Sequence, residues 1–443
     1  MIACPFLFCQ ILHLDISERM FDNEITTLKG ENWNGRTHLY RIRYEIILCL
    51  CGMCGERIGN IMANIPRANK HEDTATNQHL VPQCYMREWA YNSKKSSVWL
   101  YQRDASGNET DVENASVICS SKPLKKINSI DNYYDLKAGC YFMPQEALDE
   151  IFGPTMHLHV SLDGSSLDTE KKRNDKYGLF DEWIITDENG IVLTEEKTEE
   201  LKEYFDEARF VFIEKEWDHQ YENNWRTYIN DFYNKILQTK NGIGCNTVEE
   251  KQVSSLVTSE MISEIIKLLI VFDIRGFSSD EYINEQIDSI FDILPSEIFD
   301  MELEPEYRMH PMEITVRECF RHQFILHLCY DILKGNQMSG IVKTIWEEYK
   351  EHLIPRFCLT DINHPFVTSE RPVFMNTLDN GQKEHIFVAL PTMLVSMGRG
   401  DKGQFYISSL TNDEVDTYNK IIAKNNECII SCSNNLDVKA LWG

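Results

Sequence analysis

The chain has 443 residues, of which 42% are hydrophobic and 26% charged, a composition typical of a globular protein that buries a sizeable core. Its 44 Lys and Arg against 70 Asp and Glu give a formal net charge of −26. This excess of acid argues against an extended basic face for duplex nucleic acid or an anionic membrane, although it leaves room for a local basic groove. No apolar run approaches the roughly 20 residues that a membrane-spanning helix needs.

Residues 1–61 differ from the rest of the chain. They hold five of the 14 cysteines, show no sustained helical or strand period and lack the positive start of a secretory signal. Met62 opens a polar segment, so we expect the native start there and a single large domain over residues 62–443. A zinc site at the cysteines of residues 49–54 is an alternative, but it lacks a convincing second pair of ligands. The cysteines follow no compact framework, which indicates reduced thiols in the cytoplasm.

The element pattern after residue 62 changes twice. Two β-prone runs around an Ala-Ser-Gly-Asn turn predict a hairpin over residues 97–119, and Asp-Gly and Asn-Gly turns punctuate residues 141–195. Large apolar side chains at helical spacing predict a helix over residues 196–236. Further helices are predicted at about 248–274, 279–293, 312–334 and 338–353. These patterns predict a β-containing N-terminal part followed by a helical middle, as in an α+β fold.

A β-rich C-terminal part completes the predicted α+β fold. Short β-prone segments begin at Phe357, and a helix over residues 411–426 precedes a last strand. Pro365–Val373 and Ile386–Pro391 are predicted to be neighbouring strands of one sheet, because both are short and apolar and a turn-rich stretch with an Asn-Gly pair separates them.

Four short motifs stand out against this background. They are His79–Met86 followed by Trp89; Phe212–Lys215 with acidic residues downstream; Phe272–Arg275 at the end of an apolar helix; and Pro365–Val373 followed by Ile386–Pro391.

Together these motifs resemble the bacterial family catalogued as domain of unknown function 4238, over roughly residues 75–435 and in the same order. The departures are conservative: Met86 stands where the family has Leu, and Glu370 where Asp is typical. The resemblance implies fold and relatives and assigns no reaction. It is compatible with a hydrolase or nuclease-like effector of a phage-defence or mobile-element locus, with a partner encoded by a neighbouring gene. A non-catalytic binding or regulatory module, or a subunit of a larger complex, is the alternative.

Three residues inside the motifs are candidate catalytic groups. His79 is a candidate base or ligand, Glu370 a candidate acid before a proline, and Arg275 a candidate holder of an anionic group. His79 also begins a segment that resembles the first half of an HNH nuclease motif. The next histidines lie too far along the chain to complete the compact metal-binding unit of that motif. The discriminating observation is whether these residues, from three distant segments, converge in one cleft.

A divalent metal ion is a possible cofactor if Glu214 joins His79 and Glu370, since two ligands alone are too few. Glu214 and Glu222 fall eight residues apart, near one helix face, although a solvated face is the default interpretation in so acidic a chain. No dinucleotide-binding, Walker or nucleophile-elbow motif occurs in the sequence.

Overall fold

The computed structural model describes residues 77–103, 117–242, 251–252, 257–275, 300–303, 308, 310–335, 340–378, 380–400 and 405–442. The predicted segment 1–61 and the predicted helix 279–293 lie outside the described residues. The strands within the described ranges are β1 Asn77–His79, β2 Ser97–Arg103, β3 Val117–Pro123, β4 Ser129–Asp131, β5 His159–Leu162, β6 Ser165–Ser166, β7 Ile184–Thr186, β8 Lys251–Gln252, β9 Leu353–Leu359, β10 Thr368–Ser369, β11 Val373–Thr377, β12 Lys383–Leu390, β13 Met393–Arg399, β14 Tyr406–Ser409 and β15 Cys428–Ser431.

Helices dominate the middle of the described chain. They are α1 Gln83–Met86, α2 Gln145–Ile151, α3 Glu170–Asp175, α4 Glu195–Glu207, α5 Ile213–Trp217, α6 Trp225–Gly242, α7 Ser259–Arg275, α8 Val316–Leu333, α9 Gly340–His352, α10 Asn412–Lys424 and α11 Val438–Trp442, with a π-helical turn over Asp218–Glu222 between α5 and α6. Strands lie in the N-terminal and C-terminal parts, which confirms the predicted α+β class. In the part of the chain that the structure describes, no helix has the length and apolar character needed to cross a membrane.

The chain divides into two compact units. The described residues of unit one come from Tyr134–Phe212 and Asn284–His327, and those of unit two from Ala75–Tyr133, Ile213–Ile283 and Leu328–Gly443.

Two larger sheets frame unit two. The four-stranded sheet has the order β10-β15-β2-β3 and contains the predicted hairpin, paired antiparallel from Ser97 opposite Pro123 to Arg103 opposite Val117. The six-stranded sheet has the order β11-β12-β13-β9-β14-β8, with β14 parallel to β9. Its central strands are apolar along most of their length because helices cover them.

Helices α6 and α7 pack on the six-stranded sheet through aromatic contacts. The rings of Phe232 and Phe357 lie 5.2 Å apart, and so do those of Phe272 and Phe387. All four side chains are almost fully buried, so these contacts fix the two helices on the core.

Unit one has a small three-stranded sheet and an aromatic core. The sheet has the order β6-β5-β7. Phe152 packs against Phe205 with ring centroids 4.9 Å apart, and Phe180 packs against Trp183 at 5.0 Å. The predicted Asp-Gly turn joins β5 to β6, with Gly164 at a φ of +76° that L side chains rarely adopt.

The prediction of one helix over residues 196–236 is wrong. The helix stops at Glu207 because Phe210 exchanges backbone hydrogen bonds with Leu136, at 2.9 and 3.1 Å. This antiparallel bridge pulls residues 208–212 out of helical geometry before α5 begins.

The predicted pairing of Pro365–Val373 with Ile386–Pro391 is right at one end only. Val373 lies opposite Phe387, whereas β10 pairs with β15 in the other sheet. The hydroxyl of Ser369 accepts a hydrogen bond from the Arg371 amide and donates one to the Arg371 carbonyl. This tight local turn redirects the chain from one sheet to the other.

Candidate functional site

Arg275 is the centre of a buried polar cluster in unit two. It is the last residue of the apolar helix α7, where a cation also complements the helix dipole, and its side chain is only 2% exposed. The guanidinium donates a hydrogen bond to the backbone carbonyl of His79 and lies 3.5 Å from a carboxylate oxygen of Glu214. It also stacks over the ring of Trp217, with 4.3 Å to the ring centroid.

His79 ends strand β1, opposite Ser129 in β4, so its backbone is fixed by sheet pairing. Burial lowers the pKa of His79, the positive charge of Arg275 lowers it further, and a hydrogen bond to the backbone of Leu124 partly opposes both. The imidazole is therefore neutral near pH 7. Its Nε2 is buried and has no hydrogen-bond partner among the described residues, which leaves Nδ1 to donate to Leu124 and Nε2 as the basic nitrogen.

A second carboxylate, Glu222, faces the same guanidinium. Burial raises the pKa of Glu222, and the charge of Arg275 opposes that rise. Glu214 and Glu222 are eight residues apart, more than the roughly 7.2 residues of two α-helical turns. The π-helical turn over Asp218–Glu222 takes up the excess residues and so brings both carboxylates toward Arg275. We name Arg275, His79, Glu214, Trp217 and Glu222 the guanidinium cluster.

Two thiols near the cluster stay protonated. Burial raises the pKa of Cys84, and the charge of Glu222 adds to that rise. Burial also raises the pKa of Cys329 to about 12, with Arg275 opposing it. A protonated thiol is a poor nucleophile, so these cysteines are not candidates for covalent catalysis.

A small cavity adjoins the guanidinium. Apart from Arg275 its lining is mostly aliphatic, and it has room for about one water molecule. Walls of this kind lower the local dielectric, which strengthens the attraction between Arg275 and the carboxylates beside it. The lining residues are Ile213, Trp217, Val271, Ile274, Arg275, Cys329, Ile332 and Leu333.

Glu370 lies apart from the guanidinium cluster. Its two carboxylate oxygens accept hydrogen bonds from the backbone amides of Glu427 and Cys428, both at 3.0 Å. Burial raises the pKa of Glu370, and these backbone bonds oppose the rise. No hydrogen bond or ion pair among the described residues joins Glu370 to His79 or to Arg275.

The metal site predicted from Glu214, His79 and Glu370 does not assemble, because Glu370 is held elsewhere. Across the described ranges, no group of three or more His, Cys, Asp or Glu side chains is placed to hold a metal ion.

Sequence reasoning brought His79, Arg275 and Glu214 into consideration, and the structure joins them. The sequence drew attention to Glu222 only through its spacing from Glu214, with a solvated face as the default interpretation, and it did not single out Trp217 as a site residue. The eight-residue spacing of the two glutamates was a usable signal, but the π-helical turn that makes it effective cannot be recognised from local sequence.

Unit one holds a separate buried polar group. The Nδ1 atom of His322 lies 2.6 Å from a carboxylate oxygen of Glu313, whose other oxygen accepts the backbone amide of His310 at 3.0 Å. Both oxygens are thus engaged within the fold, which gives this group a structural role.

The four sequence motifs contact one another in unit two. The hydroxyl of Tyr85 donates to the carbonyl of Val388 and bonds to the hydroxyl of Thr368, both at 2.6 Å. The indole of Trp89 donates to the carbonyl of Phe366 at 3.0 Å. These bonds join the first motif to the fourth, and the guanidinium cluster joins it to the second and third.

Comparisons with known proteins agree with these motifs. No curated protein and no solved structure matches the chain. The sequence matches the family described as protein of unknown function (DUF4238) over residues 77–434, which is most of its length. The chain therefore belongs to the DUF4238 family.

Proposed function

We propose that the chain is a phosphodiester hydrolase of the nuclease-like kind, with the guanidinium cluster as its catalytic site. The observation that carries the proposal is the buried Arg275 guanidinium, which bonds to the His79 carbonyl, lies 3.5 Å from Glu214 and stacks on Trp217. Burial also lowers the pKa of His79, which favours a neutral imidazole that can accept a proton, and raises the pKa of Glu222, which favours a carboxylic acid that can donate one. A phosphodiester carries one negative charge, which one guanidinium can hold.

The proposed step needs only groups of this chain and water. Nε2 of His79 removes a proton from water as the water oxygen attacks phosphorus. Glu222, whose protonated form is favoured by burial, gives its proton to the leaving oxygen as the phosphorus–oxygen bond breaks. The imidazolium and the carboxylate then exchange protons with solvent, which restores the starting state.

Glu214 and Trp217 position the guanidinium. Glu214 lies 3.5 Å from the guanidinium, so its negative charge helps to hold Arg275 in the cluster. Stacking on Trp217 fixes the plane of the guanidinium, which orients its N–H donors.

The test measures hydrolysis of bis(p-nitrophenyl) phosphate by the full chain and four variants. His79→Ala keeps the backbone carbonyl that Arg275 uses, and Glu222→Gln keeps the shape of the neutral acid. Each is expected to lower kcat/KM by about 100-fold or more, the usual contribution of a general acid or base. The exposed His159→Ala in unit one is the matched control and should leave the rate within about twofold.

The variant Glu370→Gln distinguishes the guanidinium cluster from the catalytic set predicted from the sequence, which includes Glu370. A rate within about twofold of the wild type supports the guanidinium cluster, whereas a loss like that of His79→Ala assigns catalysis to Glu370 instead. The pH profile gives an independent readout, because Glu222→Gln should remove the fall in rate at high pH. An inactive wild type, or folded variants that keep the wild-type rate, overturns the proposal.

A non-catalytic module is the second candidate. It is favoured by the contacts that already hold Arg275 inside the fold, since a buried polar network can serve to fix one packing arrangement. In that case His79→Ala and Glu222→Gln change the stability of the protein, and neither changes the rate of phosphodiester hydrolysis.

The proposed setting is a cytoplasmic effector of a bacterial phage-defence or mobile-element locus. Its support is the family resemblance alone. Plaque counts on cells that carry the locus with His79→Ala or with His159→Ala test it, and equal protection by the two variants would contradict it.

A further inference from the structure

A concentrated group of lysines lies at one end of the β2–β3 hairpin in unit two. Four of the five side chains are exposed, in a chain whose net charge is −26. We name them the lysine patch: Lys94, Lys95, Lys122, Lys125 and Lys126.

Backbone pairing brings the two halves of the patch together. Ser97 lies opposite Pro123 at the end of the hairpin, and the amide of Leu124 donates to the carbonyl of Ser96 at 3.0 Å. The turn that carries the first two lysines therefore sits beside the segment that carries the other three. Two acids lie near these five lysines: Glu88 pairs with Lys95 at 3.4 Å, and Asp131 lies on β4.

An exposed aromatic ring adjoins the patch. Tyr91 is 43% exposed, and its ring stacks on Trp99 with centroids 5.0 Å apart and planes 27° apart. Its hydroxyl bonds to the hydroxyl of Ser121 at 2.7 Å, which holds the ring in place. A fixed, exposed ring beside several ammonium groups offers a stacking surface for a base and charges for its phosphates.

The segment that carries three of the lysines contacts the guanidinium cluster through the backbone of Leu124. Leu124, which follows the lysine of β3 by two positions, provides the backbone hydrogen bond to the imidazole of His79. Arg87, exposed at the end of α1, adds positive charge near Cys84 and Glu222.

We infer that the lysine patch and Tyr91 form a binding site for single-stranded nucleic acid. The assignment of this strand as the substrate rests on the proposed phosphodiesterase function, whereas the binding site itself does not. A single strand fits better than a duplex because its unstacked bases can reach the Tyr91 ring. The acidic remainder of the chain also repels the dense charge of a duplex.

Binding is measured by the fluorescence anisotropy of a labelled oligothymidylate of about 15 nucleotides with the full chain. The logarithm of affinity should fall with the logarithm of salt with a slope of about −3, as expected for about four neutralised phosphates on a single strand. Lys122→Gln with Lys126→Gln should weaken binding about tenfold at about 50 mM salt and reduce the slope by about 1. The matched control is Lys420→Gln with Lys424→Gln, two exposed lysines of α10, which should bind like the wild type.

The aromatic contribution has its own pair of variants. Tyr91→Ala should weaken binding about tenfold, whereas Tyr91→Phe keeps the ring and should stay within about twofold. Equal binding by the patch variant and its lysine control overturns the inference. Equal or tighter binding of a duplex, of phosphatidylserine vesicles or of polyglutamate overturns it too, because each would show recognition of charge without a base.

His79→Ala separates this inference from the proposed function. It should bind the oligonucleotide with an unchanged Kd while losing hydrolysis. Wild-type protein that binds the oligonucleotide but hydrolyses no phosphodiester would overturn the proposed function and leave the binding site standing. Hydrolysis of bis(p-nitrophenyl) phosphate without oligonucleotide binding would overturn the binding site and leave the proposed function standing.

Discussion

His385 shows how a single buried side chain makes stability depend on pH. It lies on β12, is 7% exposed and packs on the Tyr349 ring with centroids 4.8 Å apart. Burial lowers the pKa of His385 from its usual 6.5 to about 4. The folded state therefore binds fewer protons than the unfolded state, so this contribution to stability is present above about pH 6.5 and is lost as pH falls toward 4.

Relative to His385→Phe, the wild type should lose up to about 3 kcal/mol of unfolding free energy between pH 6.5 and pH 4. Phenylalanine keeps an aromatic ring against Tyr349 and does not titrate. Urea unfolding of both proteins at several pH values measures the difference. Parallel pH profiles for the two proteins would contradict the expected effect.

Arg173 in unit one is a buried cation whose guanidinium donates hydrogen bonds to neutral oxygens. Its guanidinium donates to the backbone carbonyls of Leu167, Thr155 and Leu158, at 3.1, 2.7 and 2.6 Å. Arg173→Met would leave these buried carbonyls without their donor, so we expect a loss of about 3–5 kcal/mol. Arg173→Lys should lose less, because an ammonium still offers three donors. Urea midpoints of the three proteins test this order, and a Met variant as stable as the wild type would refute it.

Residue type and motif membership were enough to nominate His79, Arg275 and Glu214 from the sequence. They also nominate Glu370, but they do not show that the backbone amides of Glu427 and Cys428 hold its carboxylate, because no side-chain pattern reveals such partners. The spacing of Glu222 from Glu214 is visible in the sequence, whereas its burial near Arg275 is not, because that environment depends on another helix.

At the scale of elements, α10 carries a capping box that its sequence spells out. The hydroxyl of Thr411 accepts the amide of Glu414, whose carboxylate accepts the amide of Thr411 at 2.7 Å. Asn419 on this helix bonds to the backbone of Pro365 and Val367, so α10 also holds the start of the fourth motif.

Thr411→Ala should therefore cost about 1 kcal/mol of unfolding free energy, the usual effect of removing an N-cap hydroxyl. Thr417→Ala is the matched control, because that hydroxyl only bonds back to the Asp413 carbonyl within the helix. It should change stability by less than about 0.5 kcal/mol. Thermal unfolding of both variants checks the difference, and equal melting temperatures would contradict the capping role.

Elements with strong local patterns were predictable. The hairpin over residues 97–119 and the helix α8 follow from alternation and helical spacing, which are properties of the segment itself. The break before α5 and the change of sheet after Ser369 could not be predicted from local sequence. Each depends on a partner elsewhere, a backbone bridge to Leu136 in one case and the strand β15 in the other.

At the scale of the whole molecule, charge acts in two opposite ways. The net charge of −26 creates self-repulsion, which destabilises a compact state and weakens as salt screens it. The lysine patch is a local exception to that charge, and its attraction for phosphates also weakens as salt rises. Salt should therefore stabilise the fold while it weakens binding at the patch.

Between about 50 and 200 mM NaCl, we expect the melting temperature to rise by about 2 °C. Over the same range, oligonucleotide affinity should fall about 60-fold, as a slope of about −3 requires. KCl should reproduce both trends, since screening does not depend on which of the two cations is present. Because the fold gains stability as binding is lost, unfolding cannot explain the loss. A melting temperature that falls together with affinity would contradict this account and would attribute the salt dependence of binding to loss of structure.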